Sequence, residues 1–379
     1  MRIVHIVTQL EVGGAQWVAM RLADGLRRRG HDVQTWFLYR KRECYRDEPH
    51  LRVVRPRRPR TPLGAVLLVG RLGCLLREHR PDAAIGFTHY ANALGLLAAA
   101  RAGVPVRLAT HHNPAWSFPR LGRRLDAAVG RTDVYQQIVA VSQAVADSFA
   151  GHDPRYRSKL TVIPNGLATL APAADRLATR QRHALDAGRP LLLCVGRLVG
   201  QKNHRTALDA LARLPEAQLA LVGDGELRPM LQAQCRRLGL EGRVRFLGQR
   251  TRQEVADLLA AADAFVMPSL HEGMSIALIE ALAAGVPVVS SDIPAQADLL
   301  ACDGGRAGLL VEAADAAALA GAIRRLLGDA ELRARCAAMG RRRAAQFGDE
   351  GMVDAYEQRL LMLRDAARTA RAGRPCLQG

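Results

Sequence analysis

Short apolar runs alternate with helical patterns along most of the chain, and this alternation restricts the fold more than any other feature of the sequence. Helical patterns, such as those over residues 15–29, 91–101 and 204–213, separate the runs. Strands are predicted near 2–8, 33–38, 51–54, 83–87, 106–110, 137–141, 160–163, 191–196, 218–222, 243–247, 263–267, 286–290 and 308–311. Such an order is typical of α/β proteins with doubly wound parallel sheets.

The length of the chain predicts two domains. A chain of 379 residues with 49% hydrophobic content can bury two ordinary cores. Pro164-Asn165-Gly166 and the polar, Ala-rich stretch 168–190 are predicted to form the hinge between them. We therefore expect an N-terminal domain over 1–165 and a C-terminal domain over 166–350. The segment 351–379 should contain a last helix, near 351–368, and a disordered tail from Arg371 to Gly379.

Composition bears on compartment and partners. Seven cysteines are scattered without a C-x-x-C pair, which suggests neither a zinc site nor a disulfide framework and fits a reducing cytoplasm. No apolar run is long enough to cross a bilayer. The net charge of +18 creates a field that attracts anionic surfaces. Because aromatic residues make up only 4% and no binding motif accompanies the charge, the inner membrane face is a better partner than nucleic acid.

The stretch 270–287 predicts a ligand site. A short buried strand is followed by a glycine-containing loop and by a helix with Ser275 as its N-cap and Gly285 at its end. The first backbone N–H groups of such a helix lack partners and favour anions. Glu272 and Glu280, with seven residues between them, are suited to accept hydrogen bonds from the hydroxyls of ribose or a sugar ring. Together these features predict a nucleotide-sugar pocket.

Two basic residues follow the predicted strand 191–196. Arg197 and Lys202 lie where ligands of open α/β sheets collect, and their charge would stabilise a departing diphosphate without a metal ion. The alternative is that both are solvated surface residues. The segment closest to a metal-binding Asp-x-Asp pair is 224–226, which a loop turn explains better. No metal and no cofactor are therefore expected.

Glycine pairs give a weaker signal. Gly13 and Gly14 follow the first strand and open a long helix, so they could allow close approach of a phosphate or simply form a tight turn. Neither this pair nor Gly223-x-Gly225 continues into the dinucleotide fingerprint, since Arg228 occupies the position of the next glycine in the second case. A nicotinamide enzyme is disfavoured.

Taken in order, these motifs resemble those of the retaining glycosyltransferases of family 4. The resemblance spans nearly the whole chain and ends in the two glutamates. Its other motifs are Gly13-Gly14-Ala15-Gln16, Thr110-His111-His112, Val141-Ser142, Ile163-Pro164-Asn165-Gly166, Gly196-Arg197-Leu198 with Lys202-Asn203, and Val222-Gly223-Asp224-Gly225. It implies the GT-B fold, in which two Rossmann-like domains face each other across a cleft. The acceptor would bind to the first domain, the donor to the second, and the last helix would cross back to the first.

The resemblance also implies roles for individual residues. Glu272 would contact the sugar near the anomeric carbon and Glu280 the ribose, and His112, rather than His111, would face the donor sugar. Met274-Ser275 stand where family members often carry Phe-Gly, which leaves the loop shape less certain. The implied catalytic residues are His112, Glu272, Arg197 and Lys202. The implied donor-binding residues are Gly13, Gly14, Asn165, Gly196, Arg197, Lys202, Gly223, Gly273, Met274, Ser275 and Glu280.

The resulting expectation is a retaining, metal-independent glycosyltransferase. It would move a sugar from a UDP- or GDP-sugar to a cell-surface glycan or lipid-linked acceptor. The alternative is a nucleotide-sugar epimerase of the same fold, which needs no acceptor, and a non-catalytic sensor is a third option.

A basic segment suggests where such an acceptor could be reached. Arginines recur at positions 52, 55, 57, 58 and 60, and an apolar helix over 63–76 follows. One hypothesis is that this element touches anionic lipid. The alternative, a solvated loop before an ordinary packing helix, stays open beside it.

Overall fold

The computed structural model of the chain describes residues 1–11, 13–41, 48–168 and 170–372. The chain divides into two compact units, each with its own parallel sheet. The first unit comprises Met1–Gly166 and the segment that begins at Asp349, and the second comprises Leu167–Gly348. All the predicted strands are present, and their observed ends lie within about two residues of the predicted ones.

The first unit contains a seven-stranded parallel sheet in the order β3-β2-β1-β4-β5-β6-β7. The order reverses between β1 and β4, and ligands of open α/β sheets bind at the carboxyl ends of strands at such a point. The strands are β1 (Arg2–Leu10), β2 (Asp32–Arg40), β3 (Leu51–Arg55), β4 (Ala83–Phe87), β5 (Val106–His111), β6 (Gln137–Ala140) and β7 (Leu160–Val162).

Helices connect these strands. A π-helical turn (Ala91–Gly95) and the helix α3 (Leu96–Arg101) together form the helix predicted over 91–101. A 3-10 turn (Ala115–Ser117) precedes α4 (Arg120–Gly130). The α-helices are α1 (Gly14–Arg28), α2 (Pro62–His79), α3 (Leu96–Arg101), α4 (Arg120–Gly130), α5 (Gln143–Asp147) and α6 (Pro154–Arg157). In α1, Val18, Leu22 and Leu26 recur at helical spacing and are buried, which is why this stretch packs as an amphipathic helix.

The second unit has a six-stranded parallel sheet in the order β10-β9-β8-β11-β12-β15. A two-stranded hairpin of β13 and β14, joined through Gly304 at a φ of 83°, is an addition that the sequence did not predict. The strands are β8 (Leu191–Val195), β9 (Gln218–Val222), β10 (Val244–Gly248), β11 (Ala264–Met267), β12 (Val288–Ser291), β13 (Ala301–Cys302), β14 (Gly305–Arg306) and β15 (Gly308–Val311).

The helices of this unit cover a core of small and aliphatic side chains. That core includes Leu208, Leu211, Leu221 and Leu326, all fully buried. The helices are α7 (Arg176–Arg182), α8 (His204–Leu211), α9 (Arg228–Arg237), α10 (Arg252–Ala261), α11 (Ile276–Ala284), α12 (Pro294–Leu300), α13 (Ala316–Gly328) and α14 (Ala330–Ala344).

The prediction that 168–190 is a hinge was wrong for most of that stretch. Helix α7 forms within it, and Arg180 is only 2% exposed. The Arg180 guanidinium donates to the backbone carbonyl of Ala261 and forms an ion pair with Asp263 at 2.8 Å. The polar composition that suggested a linker includes a buried arginine whose donors are satisfied by backbone carbonyls and a carboxylate.

The last helix, α15 (Asp349–Ala372), belongs to the first unit and packs on α1. Arg29 on the α1 side pairs with Glu350 at 2.9 Å and with Glu357 at 2.8 Å. His31 also contacts Glu357, at 2.7 Å. The helix continues to Ala372, so the first two residues of the predicted disordered tail are helical; residues 373–379 lie outside the described part of the chain.

Candidate functional site

An ion pair between Lys202 and Glu272 lies at the carboxyl edge of the second sheet. Lys202 ends a 3-10 turn after β8, and Glu272 lies in the loop between β11 and α11. Lys202 Nζ is 2.7 Å from Glu272 Oε1, and the two side chains are only 17% and 7% exposed. The ammonium group carries three donors, so this bond leaves it further donors for an anion. The structure thus brings together two predicted catalytic residues that are 70 positions apart in the chain.

Backbone contacts fix the loop that carries Glu272. The Gln201 side chain donates to the His271 carbonyl at 2.9 Å, and the Leu270 N–H donates to the Gln201 carbonyl at 2.9 Å. These bonds tie the Lys202 turn to the Glu272 loop independently of the ion pair. Burial lowers the pKa of His271, against the opposing charge of Glu272, and this favours a neutral imidazole.

The start and end of α11 agree with the sequence prediction. Ser275 caps the helix, with its hydroxyl accepting from the Leu278 N–H at 3.4 Å, and Gly285 ends it in the left-handed region with a φ of 70°. Gly273 is buried and Met274 half-buried in the loop just before the cap. The predicted diphosphate-binding residues Gly273, Met274 and Ser275 therefore lie between Glu272 and the positive end of the helix dipole.

Glu280, on α11, has a partner that the sequence did not reveal. Its carboxylate is 3.2 Å from an Arg252 nitrogen, and the same guanidinium donates to the Ala168 carbonyl at 2.8 Å. Burial raises the pKa of Glu280 above its ordinary value, and the Arg252 charge opposes this shift. Arg252 is 28 positions away at the start of α10, and no spacing rule connects the two. The pair holds the carboxylate in a defined position on the same helix as Ser275.

Predicted glycines in this unit allow two loops to approach closely. A Cβ atom on Gly223 would lie 2.0 Å from the Gly196 carbonyl oxygen, and one on Gly225 would lie 2.3 Å from that of Leu198. Asp224 accepts a hydrogen bond from the Gly225 N–H at 2.8 Å. These contacts fix the turn after β8, where Arg197 is exposed beside Gly196.

His112 lies at the carboxyl edge of the first sheet, directly after β5. Its Nε2 is 3.1 Å from the Thr110 hydroxyl, and its ring stacks on Phe87 with centroids 5.7 Å apart. Because the Thr110 hydroxyl donates to the Gly86 carbonyl at 2.7 Å, His112 Nε2 must be the donor in the bond to Thr110. Burial, assisted by the His111 charge, lowers the pKa of His112 to about 3. The imidazole is thus neutral, and its Nδ1 is an acceptor.

His111 is the structural member of the pair. It is fully buried, and its Nε2 lies 2.8 Å from the Tyr156 hydroxyl. Tyr156 and Tyr135 both donate to the buried carboxylate of Asp126, at 2.7 and 3.0 Å. Burial and the Asp126 charge hold the pKa of both tyrosines well above the ordinary value. The cluster binds α4 to β5 and to α6 inside the core.

Strained backbone lies next to His112 and was not predicted. Thr88, at the carboxyl end of β4, has a φ of 75°, which is a rare conformation for a β-branched residue. Its hydroxyl is 2.5 Å from that of Thr8, which also accepts from the Ala91 N–H at 3.1 Å. Such strain costs about 1–3 kcal/mol and clusters at functional sites, as do π-helical turns. A threonine at this position does not predict a left-handed backbone conformation.

Three further predicted residues lie in the first unit. Gly13 has extended backbone at the N-cap of α1, where its carbonyl accepts from the Trp17 N–H at 2.9 Å, and Gly14 is exposed beside it. Asn165 is 4% exposed near the end of this unit's first segment. Gly13 and Gly14 therefore lie at the carboxyl end of β1, on the edge that also carries His112.

The described residues also bear on metal binding and on membrane insertion. Among them, no group of three His, Cys, Asp or Glu side chains is arranged to hold a metal ion. None of the described helices combines the length and the apolar composition that crossing a membrane requires.

Two units, each with a parallel sheet covered by helices, correspond to the α/β GT-B fold. Solved structures agree. The structure of HepE (Alr3699) from Anabaena, in complex with UDP and glucose, superposes with a TM-score of 0.83 at 24% identity, covering 96% of this chain and 100% of that one. The lipopolysaccharide glycosyltransferase WaaG gives a TM-score of 0.73 at 21% identity, covering 93% and 98%.

Sequence comparison shows the family. Residues 12–169 match the family described as Glycosyltransferase Family 4, and residues 175–343 match Glycosyl transferases group 1. The lipopolysaccharide core biosynthesis glycosyltransferase LpsE of Rhizobium meliloti (strain 1021) is 31% identical over 355 residues, 92% of this chain and 96% of the relative. The putative glycosyltransferase EpsF of Bacillus subtilis (strain 168) is 31% identical over 312 residues, 77% and 79%. The chain belongs to the group 1 glycosyltransferases.

Proposed function

We propose that this glycosyltransferase is a retaining, metal-independent hexosyltransferase of family 4 that uses a UDP- or GDP-sugar. Its acceptor is a cell-surface glycan or a lipid-linked sugar. The observation that carries the proposal is the buried Lys202–Glu272 pair beside the N-terminus of α11. The relatives support the substrate classes, since LpsE is named for lipopolysaccharide core biosynthesis and the HepE structure contains UDP and glucose.

The residues of the second unit divide the work on the donor. The Lys202 ammonium and the Arg197 guanidinium neutralise charge that develops on the departing diphosphate, and the N-terminus of α11 adds its backbone dipoles. Glu272 accepts hydrogen bonds from sugar hydroxyls while remaining paired with Lys202. Glu280, oriented by Arg252, accepts from the ribose hydroxyls. No step in this scheme requires a metal ion.

The first unit contributes a neutral group. His112 Nδ1 accepts a hydrogen bond from a sugar hydroxyl, because its Nε2 proton is already directed at Thr110. A neutral acceptor orients a hydroxyl without adding a charge to the site. The strained Thr88 and the Gly13-Gly14 turn shape the same edge of the sheet.

Attachment to an anionic membrane is a second part of the proposal. On α2, Leu63, Val66 and Leu67 recur at helical spacing and are 68%, 66% and 59% exposed. The exposed arginines at 57, 58 and 60 precede them. Two other arginines of the basic segment have structural contacts: Arg52 lies over the Trp36 ring at 5.4 Å, and Arg55 donates to the Gly64 carbonyl at 3.0 Å.

Vesicle binding tests the membrane part. Replacing the exposed arginines with serine, or Leu63 and Leu67 with serine, should each reduce co-sedimentation with vesicles rich in phosphatidylglycerol. Replacing Arg77, in the last turn of α2, and Arg80, which directly follows the helix, is the matched control. Unchanged binding in both site variants would rule out this surface.

Nucleotide release tests the transferase part. The protein is incubated with a panel of UDP- and GDP-sugars, with and without EDTA, and with an extract of lipid-linked and polysaccharide acceptors. We expect one donor to release its nucleotide in the presence of EDTA, and NMR of the product to show the donor's anomeric configuration. Epimerised nucleotide sugar without acceptor would favour the alternative enzyme, and loss of activity in EDTA would contradict metal independence.

A further inference from the structure

We propose that Tyr90 is a specificity-determining residue whose hydroxyl bonds to a hydroxyl group on a pyranose ring of the acceptor. The inference rests on the proposed function, because it assigns an acceptor contact to the first unit. Tyr90 is half-buried and lies three residues after Phe87, the last residue of β4. Its hydroxyl is not among the buried polar atoms and makes no hydrogen bond with another described residue. A phenol hydroxyl both donates and accepts, so it can bind a sugar hydroxyl in either direction.

The other tyrosines show how Tyr90 differs. Three of the other four described tyrosines donate their hydroxyl hydrogen to a side chain of the protein, namely Tyr39, Tyr135 and Tyr156. The fourth, Tyr356, is only 1% exposed, on α15. Tyr90 therefore combines a hydroxyl that the described residues leave unused with access from solvent.

The backbone and the ring of Tyr90 are both held in place. Thr88, two residues before it, has the strained φ of 75°. The Ala91 N–H, directly after it, donates to the Thr8 hydroxyl at 3.1 Å and begins the π-helical turn. The Tyr90 ring packs on that of His89, with centroids 4.3 Å apart. A side chain that is ordered before binding loses little conformational entropy when a ligand binds.

Tyr90 follows a strand at the point where this sheet is expected to bind ligands. β4 lies beside β1, where the strand order reverses, and Tyr90 is beyond its carboxyl end. The ring of Phe87 stacks on that of His112, and the Cα atoms of Phe87 and Tyr90 are at most about 11 Å apart along the chain. His112 and Tyr90 therefore border the same end of β4. Since the donor is assigned to the second unit, we assign Tyr90 to the acceptor.

The Tyr90 phenol also lies near polar groups at the ends of β1 and β2. Burial raises the pKa of Tyr39, the second-last residue of β2. Arg58 lowers that pKa, and Glu11 and Tyr90 raise it, which places these groups close to Tyr39 because such effects fall off with distance. Glu11 in turn pairs with Lys41 at 2.9 Å. Polar surroundings of this kind suit the hydroxyl groups of a sugar better than an apolar ligand.

Binding of simple glycosides tests the inference. The probes are the methyl α-glycosides of glucose, galactose and mannose and their monodeoxy analogues, titrated by saturation-transfer NMR. We expect the wild type to bind at least one parent glycoside. Tyr90→Phe keeps the ring and removes only the hydroxyl, so it should raise that Kd about tenfold, the size of one hydrogen bond. Tyr356→Phe makes the same chemical change at a buried position and should alter the Kd less than twofold.

The deoxy analogues distinguish a direct contact from a structural effect. One analogue should bind the wild type about tenfold more weakly than its parent does. The same analogue should bind Tyr90→Phe as well as the parent does, because the hydrogen bond is already lost in this variant. The inference is overturned if every analogue loses as much affinity for the variant as for the wild type. It also fails if the wild type binds none of the glycosides or if Tyr90→Phe leaves the Kd unaltered.

Hydrolysis of the donor without an acceptor separates this inference from the proposed function. We expect equal rates of nucleotide release in the wild type and in Tyr90→Phe. Slower hydrolysis in the variant would place the hydroxyl at the donor and overturn its assignment to the acceptor. Normal hydrolysis with an unaltered Kd in Tyr90→Phe overturns only the inference. Absence of donor turnover in a wild type that binds a glycoside through Tyr90 overturns only the proposed function.

Discussion

The predicted site residues at the carboxyl edges of the two sheets are of different kinds. In the second unit the edge holds ion pairs, Lys202 with Glu272 and Arg252 with Glu280. In the first unit it holds a neutral histidine bound to a threonine hydroxyl and stacked on a phenylalanine. A further ion pair, Lys41 with Glu11 at 2.9 Å, lies at the ends of β2 and β1 in the first unit. The contrast is therefore between the ion pairs assigned to the donor and the uncharged histidine assigned to a sugar hydroxyl.

The difference has a physical basis in how each site is desolvated. Burying a charged pair is tolerated when partners and hydrogen bonds compensate, as with Glu272 between Lys202 and the α11 N-terminus. A lone imidazole without a carboxylate partner responds to burial by losing its proton, and the pKa of His112 is accordingly lowered to about 3. The following substitutions test whether the reaction needs the charged groups of the second unit and the neutral His112 of the first.

The largest effect should come from Lys202→Ala. Loss of the ammonium removes charge stabilisation from the departing diphosphate, so we expect kcat to fall about 100-fold or more. Steady-state turnover of the active nucleotide sugar measures this. Arg205→Ala, an exposed arginine on the following helix, is the matched control. A fall of less than threefold in Lys202→Ala would show that the charge of the second unit is not used in the reaction.

His112 offers a test of which ring nitrogen acts. An asparagine at this position can place an oxygen near the site of Nδ1, whereas a glutamine mimics Nε2. We expect His112→Asn to retain more activity than His112→Gln, and His112→Ala to lose about 10- to 100-fold in kcat through one lost hydrogen bond. Nucleotide binding should be unchanged in all three. Greater activity in His112→Gln would contradict the assigned tautomer.

Glu280→Gln should have a smaller effect, confined to binding. The amide keeps the shape but weakens acceptance from ribose hydroxyls and leaves Arg252 without its ion pair, so nucleotide affinity should fall about tenfold. Calorimetric titration with the nucleotide measures this, and the 2′-deoxynucleotide supplies the control. If Glu280 bonds to the ribose, the variant should discriminate less between the two nucleotides than the wild type does. Equal discrimination would contradict the role.

The smallest expected effect is on stability in acid. Burial lowers the pKa of His5 from 6.5 to about 3, and its Nδ1 donates to the Ala19 carbonyl at 3.0 Å. Because the folded pKa lies below the unfolded one, the neutral form stabilises the fold above pH 6.5, and this contribution is lost as pH falls toward 3. Between pH 7.5 and 5.5 the free energy of unfolding should fall by about 1 kcal/mol from His5 alone.

Urea unfolding at several pH values measures that slope. His5→Gln removes the titrating group and should make the free energy of unfolding less dependent on pH, whatever its effect on stability at pH 7.5. Replacing exposed His50 is the control and should leave the slope unchanged. An unchanged slope in His5→Gln would show that His5 does not titrate with unfolding.

Local signals in the sequence were sufficient to predict much of the secondary structure. The Ser275 cap, the Gly285 end and the apolar strands depend on neighbours within a few residues, and the structure has them where they were predicted. Such features need no knowledge of tertiary contacts.

What could not be predicted depends on distant partners. Arg252 reaches Glu280 only because α10 packs beside α11. Arg180 looked like a linker residue because its partners include the Ala261 carbonyl, 81 positions along the chain. The left-handed conformation of Thr88 is imposed by its surroundings and runs against the preference of threonine. The roles assigned to Lys202, Glu272 and His112 in the reaction remain predictions, and their positions make those roles testable.

Thermal unfolding with a panel of nucleotides tests most directly whether the charged edge of the second unit binds the donor. The wild type and Lys202→Ala are heated with UDP, GDP, ADP, dTDP and their sugar conjugates. A ligand specific for the folded state stabilises it by about 2.7 kcal/mol at a hundred times its Kd. We expect one nucleotide to raise the Tm of the wild type and not that of the variant. No shift with any nucleotide, or equal shifts in both proteins, would contradict the assignment of the diphosphate to Lys202.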